Sequence, residues 1–84
     1  MDRKIVKKFL ACDYPELIDL ALNYARLTDK QQEVVDLCFK RGLTQEDAAG
    51  ETGYDVSTIR RWYNKAMKSM CAKFDHLPWI YKVL

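Results

Sequence analysis

Proline and glycine are scarce in this sequence, with two prolines and three glycines among 84 residues. So few turn-forming residues leave little room for a many-stranded sheet, and they favour helices. No segment alternates apolar and polar residues between turn signals, as a half-buried strand would. The sequence therefore predicts a single all-α domain, a small bundle of four to five helices.

Long apolar runs are also missing. The longest spans only residues 77–81, far short of what crosses a bilayer. The N-terminal residues lack the apolar stretch of a secretory signal. We therefore expect a cytoplasmic protein with no membrane partner.

Metal ligands and catalytic groups are few. Cys12, Cys38 and Cys71 are widely spaced, and His76 is the single histidine. A structural zinc site needs four clustered ligands, so we expect no metal and no cofactor, and thiols that are buried or half-buried. No spacing pairs a nucleophile with a base, so we do not expect an enzyme.

The net charge of +2 hides an uneven distribution of charge. Residues 1–8 hold four bases and one acid, residues 9–55 hold four bases and ten acids, and residues 56–84 hold six bases and one acid. A basic C-terminal third of this kind suits a polyanion as partner. On charge alone, a solvated lysine-rich face is an equal alternative.

Apolar residues at three- and four-residue steps predict five helices. They span about residues 2–11, 15–26, 29–41, 45–51 and 56–73. Thr28 and Gln31 form a capping box before the third helix, and Asp55 stands where it caps the last one. Gly42 is expected to end the third helix in a left-handed conformation.

Residues 44–63 have the pattern of a helix-turn-helix. Thr44 caps the first motif helix, and Ala49 supplies the small residue that the crossing of the two helices requires. Gly53 supplies the positive φ of the turn. The second helix packs on the first through apolar residues at helical spacing: Val56, Ile59 and Trp62.

The opposite face of the second helix is polar and basic, with five bases and no acid between residues 56 and 73. Arginine and lysine read guanine edges, asparagine reads adenine, and bases far along the helix suit phosphates. The predicted DNA contacts on this helix are Ser57, Thr58, Arg60, Arg61, Asn64, Lys65 and Lys68. Thr44 and Gln45, at the start of the preceding helix, are placed for a backbone phosphate. The alternative is a solvated face, and for Ser57 a helix-start role.

Residues 27–70 resemble region 4 of bacterial sigma factors. The residues that carry the resemblance are Leu27 and Thr28 with Gln31 or Gln32, Gly42 to Glu46 with Ala49, Gly53, Val56 to Arg60, and Ala66 and Met67 with Met70. The resemblance implies binding of duplex DNA at promoter-like sites, regulation of transcription, and contact with RNA polymerase. Nothing resembles the sigma segment that melts the promoter. We therefore expect a stand-alone module, such as a phage or mobile-element regulator or one half of a split factor.

The predicted organisation has three parts. Residues 1–26 complete the core, residues 27–73 form the DNA-binding domain, and residues 74–84 form an apolar tail. The tail either folds back over the N-terminal helices or serves as a dimer contact or docking peptide. The N-terminal lysines are expected to add phosphate contacts, whereas Trp62, Tyr63, Met67 and Met70 are expected to pack in the core.

The sequence is also compatible with two other functions. The same fold could hold RNA polymerase or another factor without binding DNA, or serve as a phage DNA packaging or recombination subunit. The steep salt dependence of phosphate contacts separates DNA binding from the first of these. A monomer or a homodimer is expected, and the sigma resemblance favours the monomer.

Overall fold

The computed structural model describes all residues, 1–84, as helices joined by short loops, with no strand. The five α-helices are α1 (Arg3–Leu10), α2 (Pro15–Ala25), α3 (Asp29–Val35), α4 (Gln45–Thr52) and α5 (Val56–Lys73). Two short 3-10 helices, Phe74–His76 and Pro78–Val83, follow α5. The predicted all-α class is confirmed. None of the helices combines the length and the apolar character that a membrane span needs.

Side-chain caps start α3 and α4 as predicted. Thr28 Oγ1 accepts the N–H of Gln31 at 3.2 Å, and the Gln31 side chain accepts the N–H of Thr28 at 3.1 Å. Thr44 Oγ1 accepts the N–H of Asp47 at 3.1 Å. Asp55 stands at the N-cap of α5, but its side chain caps no N–H, so that part of the prediction is wrong. Its backbone carbonyl alone receives the first N–H groups of the helix.

The third helix departs from a plain α-helix in its last turn. Its α-helical part ends at Val35, and a π-helical turn follows over Asp36–Lys40. The turn is closed by a bond of 3.0 Å from the N–H of Arg41 to the carbonyl of Asp36. Such a turn takes in one extra residue without ending the helix, which the apolar spacing did not reveal. Gly42, with a φ of +69°, follows in the predicted left-handed conformation.

Two apolar clusters form the core, and α5 contributes to both. The larger cluster joins α1, α2, the second half of α5 and the C-terminal tail, and its fully buried members include Val6, Phe9, Ala21, Met67, Met70, Phe74 and Ile80. The smaller cluster joins α3 and its π turn to α4 and the first half of α5 through Val34, Leu37, Ala48 and Ile59. The neighbouring residues Val34 and Val35 belong to different clusters. Because α5 contributes to both clusters, it anchors the helix-turn-helix to the rest of the protein.

The C-terminal tail packs onto the larger cluster. Ile80 is completely buried. Phe9 of α1 meets both Phe74 and Trp79 edge to face, with ring centroids 5.7 and 6.0 Å apart. Of the two alternatives for the tail, the structure therefore shows the one in which it folds back over the N-terminal helix. Of its apolar side chains, Tyr81 and Leu84 stay exposed.

Candidate nucleic-acid interface

The two motif helices, α4 and α5, pack together through the smaller cluster. Ala48 is fully buried in the smaller cluster together with Ile59, whereas Ala49 is only half-buried. Ala49, the small residue predicted at the crossing, packs against the edge of the same cluster. Gly53 makes the predicted turn, with a φ of +80°.

An aromatic pair holds the start of α5 against that turn. Tyr54 and Trp62 meet edge to face with ring centroids 5.0 Å apart. Lys30 Nζ lies 4.8 Å from the Tyr54 centroid and 5.8 Å from that of Trp62. Its hydrogen bond to the Tyr54 hydroxyl raises the pKa of Lys30. Trp62 is half-buried against the smaller cluster, in the packing role predicted for it. Neither Lys30 nor Tyr54 was predicted from the sequence to belong to the site.

A second aromatic contact ties the π turn to α5. Phe39 and Tyr63 stack with ring centroids 5.8 Å apart and an angle of 21° between the ring planes. Burial raises the pKa of the Tyr63 hydroxyl and that of the neighbouring Cys38 thiol. Tyr63 thus has the packing role that the apolar spacing predicted. With both aromatic contacts in place, α5 is fixed along two sides, so its outer face has a defined direction.

Three of the predicted DNA contacts form one exposed stripe along α5: Arg61, Lys65 and Lys68. They recur at helical steps of four and three residues. Arg61 lies about 200° around the helix from Ile59, which is 1% exposed. The stripe therefore points away from the core along the middle turns of the helix.

Three further predicted contacts, Ser57, Arg60 and Asn64, are exposed on α5, and Asn64 lies on the flank next to α1. Asn64 Oδ1 accepts a hydrogen bond of 3.4 Å from Arg3 Nη1 at the start of α1. The sequence predicted phosphate contacts from the N-terminal lysines, but no pattern in it placed Arg3 beside α5. Thr58 lies on the other flank and is only half-buried.

The last two predicted contacts lie at the start of α4. Thr44 is exposed, and its Oγ1 already accepts the cap hydrogen bond, which leaves the hydroxyl hydrogen to donate. Gln45 is half-buried. Glu46 and Asp47 follow directly and are exposed, so their charge opposes an anion at this point. The phosphate contact of Thr44 and Gln45 stays a prediction.

Most bases of the acidic middle segment, residues 9–55, form ion pairs within the chain, unlike those of α5. Lys40 pairs with Asp19 at 3.0 Å and with Asp36 at 3.6 Å, and the hydrogen bond to Asp19 raises the pKa of Lys40. Arg41 holds Glu51 through two hydrogen bonds. In this segment, positive charges are therefore largely used within the chain.

The bases of α5 have no such partner. The ion pairs of the structure take up Lys30, Lys40, Arg41 and the amino group of Met1, and none of them involves Arg60, Arg61, Lys65, Lys68 or Lys73. These side chains are exposed to solvent on a helix without an acid. An exposed helix of this kind can enter the major groove and contact both base edges and phosphates.

Groups for other chemistry are sparse. No three His, Cys, Asp or Glu side chains lie close enough together to hold a metal ion. The three cysteines are free thiols and all are half-buried.

Comparison with known protein families agrees with this geometry. The family model for sigma-70, region 4 matches residues 25–70, more than half of the chain. The match begins at the last residue of α2 and takes in α3, α4 and most of α5, while α1 and the tail lie outside it. No match was found among curated proteins or among solved structures. The chain belongs to the sigma-70 region 4 family of helix-turn-helix DNA-binding modules.

Proposed function

We propose that the protein is a sequence-specific transcription regulator that inserts α5 into the major groove of promoter-like duplex DNA. One observation carries this proposal: the outer face of α5 is exposed, holds no acid, and keeps all its bases free of ion pairs. The family membership supplies the mode of binding, because a helix-turn-helix presents its second helix to the groove.

The position of each side chain on α5 suggests its role. Ser57, Arg60, Arg61 and Asn64 lie in the first half of the helix, where side chains reach base edges. Lys65 and Lys68 lie further along the helix and suit phosphates. Thr58 is half-buried and contributes from the edge of the interface. Thr44 and Gln45 contact a phosphate from the start of α4.

A contact with RNA polymerase is a second candidate function, alone or together with DNA binding. The observation in its favour is an exposed apolar pair on α2, a helix that lies almost wholly outside the family match. Leu20 is 57% exposed and Tyr24 is 47% exposed, four residues apart on one face. Large apolar side chains in water are typical of protein contact sites when they cluster.

The test is a binding titration on mixed genomic duplex fragments at two salt concentrations. The wild type is compared with Arg60→Ala/Arg61→Ala, which removes two bases from the outer face. We expect salt-sensitive binding by the wild type and an affinity at least about ten-fold lower for the variant, since one bidentate base contact accounts for about 1–3 kcal/mol. Sequencing the enriched fragments then gives the preferred site.

Lys73→Gln/Lys82→Gln is the matched control, because it changes the net charge by the same amount. Lys73 lies beside Leu20 and Tyr24, away from the outer stripe, and Lys82 lies in the tail. An equal loss of affinity in both double variants would show that only net charge matters, and it would contradict insertion of α5. Absence of binding by the folded wild type would leave the contact with RNA polymerase as the function to test.

A further inference from the structure

The N-terminal helix α1 is a second basic helix, and it lies outside the part of the chain that matches the family. It carries four exposed bases in eight residues: Arg3, Lys4, Lys7 and Lys8. None of them forms an ion pair with a carboxylate of the chain. The one acid next to them, Asp2, accepts the N–H of Lys4 at 2.8 Å and caps the helix.

Helix stability does not account for the bases at the start of α1. Positive charge is unfavourable near the N-terminus of a helix and favourable near its C-terminus. Lys7 and Lys8 are in the last turn, where the helix dipole explains them. Arg3 and Lys4 are in the first turn, which holds no acid. These two bases therefore interact unfavourably with the helix dipole, so helix stability does not explain their presence.

The packing of α1 places its first turn beside the proposed DNA-binding face. Val6 and Phe9 are fully buried in the cluster that also holds Met67 of α5, so the helix is fixed in position. Arg3 Nη1 lies 3.4 Å from Oδ1 of Asn64, one of the exposed residues of α5. Two basic helices thus meet with no carboxylate paired between them, and the charges add to one positive field.

We propose that α1 is a second DNA-contacting element, which binds phosphates on the strand that borders the groove entered by α5. The proposal rests on the function proposed above and extends the interface beyond the family module. Arg3 and Lys4 supply the phosphate contacts, and the bond from Arg3 to Asn64 joins the two basic surfaces. Phosphate contacts fix orientation and add affinity without reading sequence.

The experiment measures the affinity of the full chain for a short fluorescein-labelled duplex of mixed sequence, by anisotropy, between about 50 and 200 mM salt. The variant is Arg3→Gln/Lys4→Gln, and the control with equal charge change is again Lys73→Gln/Lys82→Gln. The logarithm of affinity is plotted against the logarithm of salt concentration. The slope of this plot is negative, and each lost phosphate contact makes it less steep by about 0.9. We therefore expect the steepness to fall by up to about 1.8 for the variant and by less for the control.

A thermal melt of each variant tests whether the variant is folded. Since Arg3 and Lys4 oppose the helix dipole, their replacement is expected to leave the melting temperature unchanged or higher. A weaker binder that is at least as stable as the wild type supports the proposal. An unchanged slope in Arg3→Gln/Lys4→Gln overturns it, and the proposed function survives if Arg60→Ala/Arg61→Ala still weakens binding. No binding by the wild type overturns both.

Discussion

Tyr54 and Trp62 meet edge to face with ring centroids 5.0 Å apart, which ties the turn of the motif to the helix that follows it. Tyr54 comes directly after Gly53, so its ring holds the turn, while Trp62 lies on the second turn of α5. This contact and the stacking of Phe39 on Tyr63 fix the direction of the basic face, because the first half of α5 has only Ile59 fully buried.

The aromatic pair is expected to be energetically coupled. Edge-to-face pairs contribute about 0.5–1.5 kcal/mol beyond the burial of their area. A double-mutant cycle of Tyr54→Leu and Trp62→Leu, followed by urea unfolding, should give a coupling energy in that range. The control cycle pairs Trp62→Leu with Tyr24→Leu, which removes an exposed tyrosine of α2. That pair should be additive within about 0.3–0.5 kcal/mol. Additivity in the Tyr54 cycle would contradict the contact.

Two glycines of the motif should respond in opposite ways to alanine. Neither has an atom within 4 Å of the position that a Cβ would take, so only the backbone decides. Gly50 lies within α4, and Gly50→Ala should raise the free energy of unfolding by about 0.5–1 kcal/mol. Gly53 has a φ of +80°, and Gly53→Ala should lower it by about 1–2 kcal/mol. Urea unfolding of the two variants checks both, and a destabilising Gly50→Ala would contradict the helical geometry at that residue.

The tail should contribute to stability through one side chain in particular. Ile80 is completely buried, so Ile80→Ala should lower the free energy of unfolding by about 2–5 kcal/mol. Tyr81 is 55% exposed, so Tyr81→Ala should change it by less than about 0.5 kcal/mol. Thermal or urea unfolding measures both. If the tail were a docking peptide detached from the core, neither substitution would matter.

Alkylation of Cys38 should require a higher pH than alkylation of an unfolded peptide. Burial raises the pKa of the Cys38 thiol, and only the thiolate reacts. Pulse labelling of the native protein with peptide mapping, from about pH 7 to pH 10 around the usual thiol pKa, should place the Cys38 midpoint above that of a peptide of residues 35–41. The unfolded state then loses its proton first, so the free energy of unfolding falls as pH rises through this range. Coincident midpoints would contradict the burial of the thiol.

The helices and their main bounds were predictable because their signals are local. The capping box of Thr28 and Gln31, the cap of Thr44 and the left-handed glycines lie within a few residues of the structure they start or end. The packing faces followed from apolar spacing, which is why Ile59, Met67 and Met70 were expected in the core and are found there. The exposed bases of α5 follow from the same spacing. Their contacts with DNA stay predictions.

What the sequence by itself determined is therefore the set of helices and the face that each turns inward, because side-chain spacing and capping act over one or two turns. The tertiary structure alone decided that Ala48 is the fully buried alanine of α4, and that a π turn ends the third helix. It alone placed Arg3 beside Asn64, 61 residues away along the chain, and Ile80 in the core. These features depend on packing between segments distant in sequence, and no local pattern encodes the distance between them.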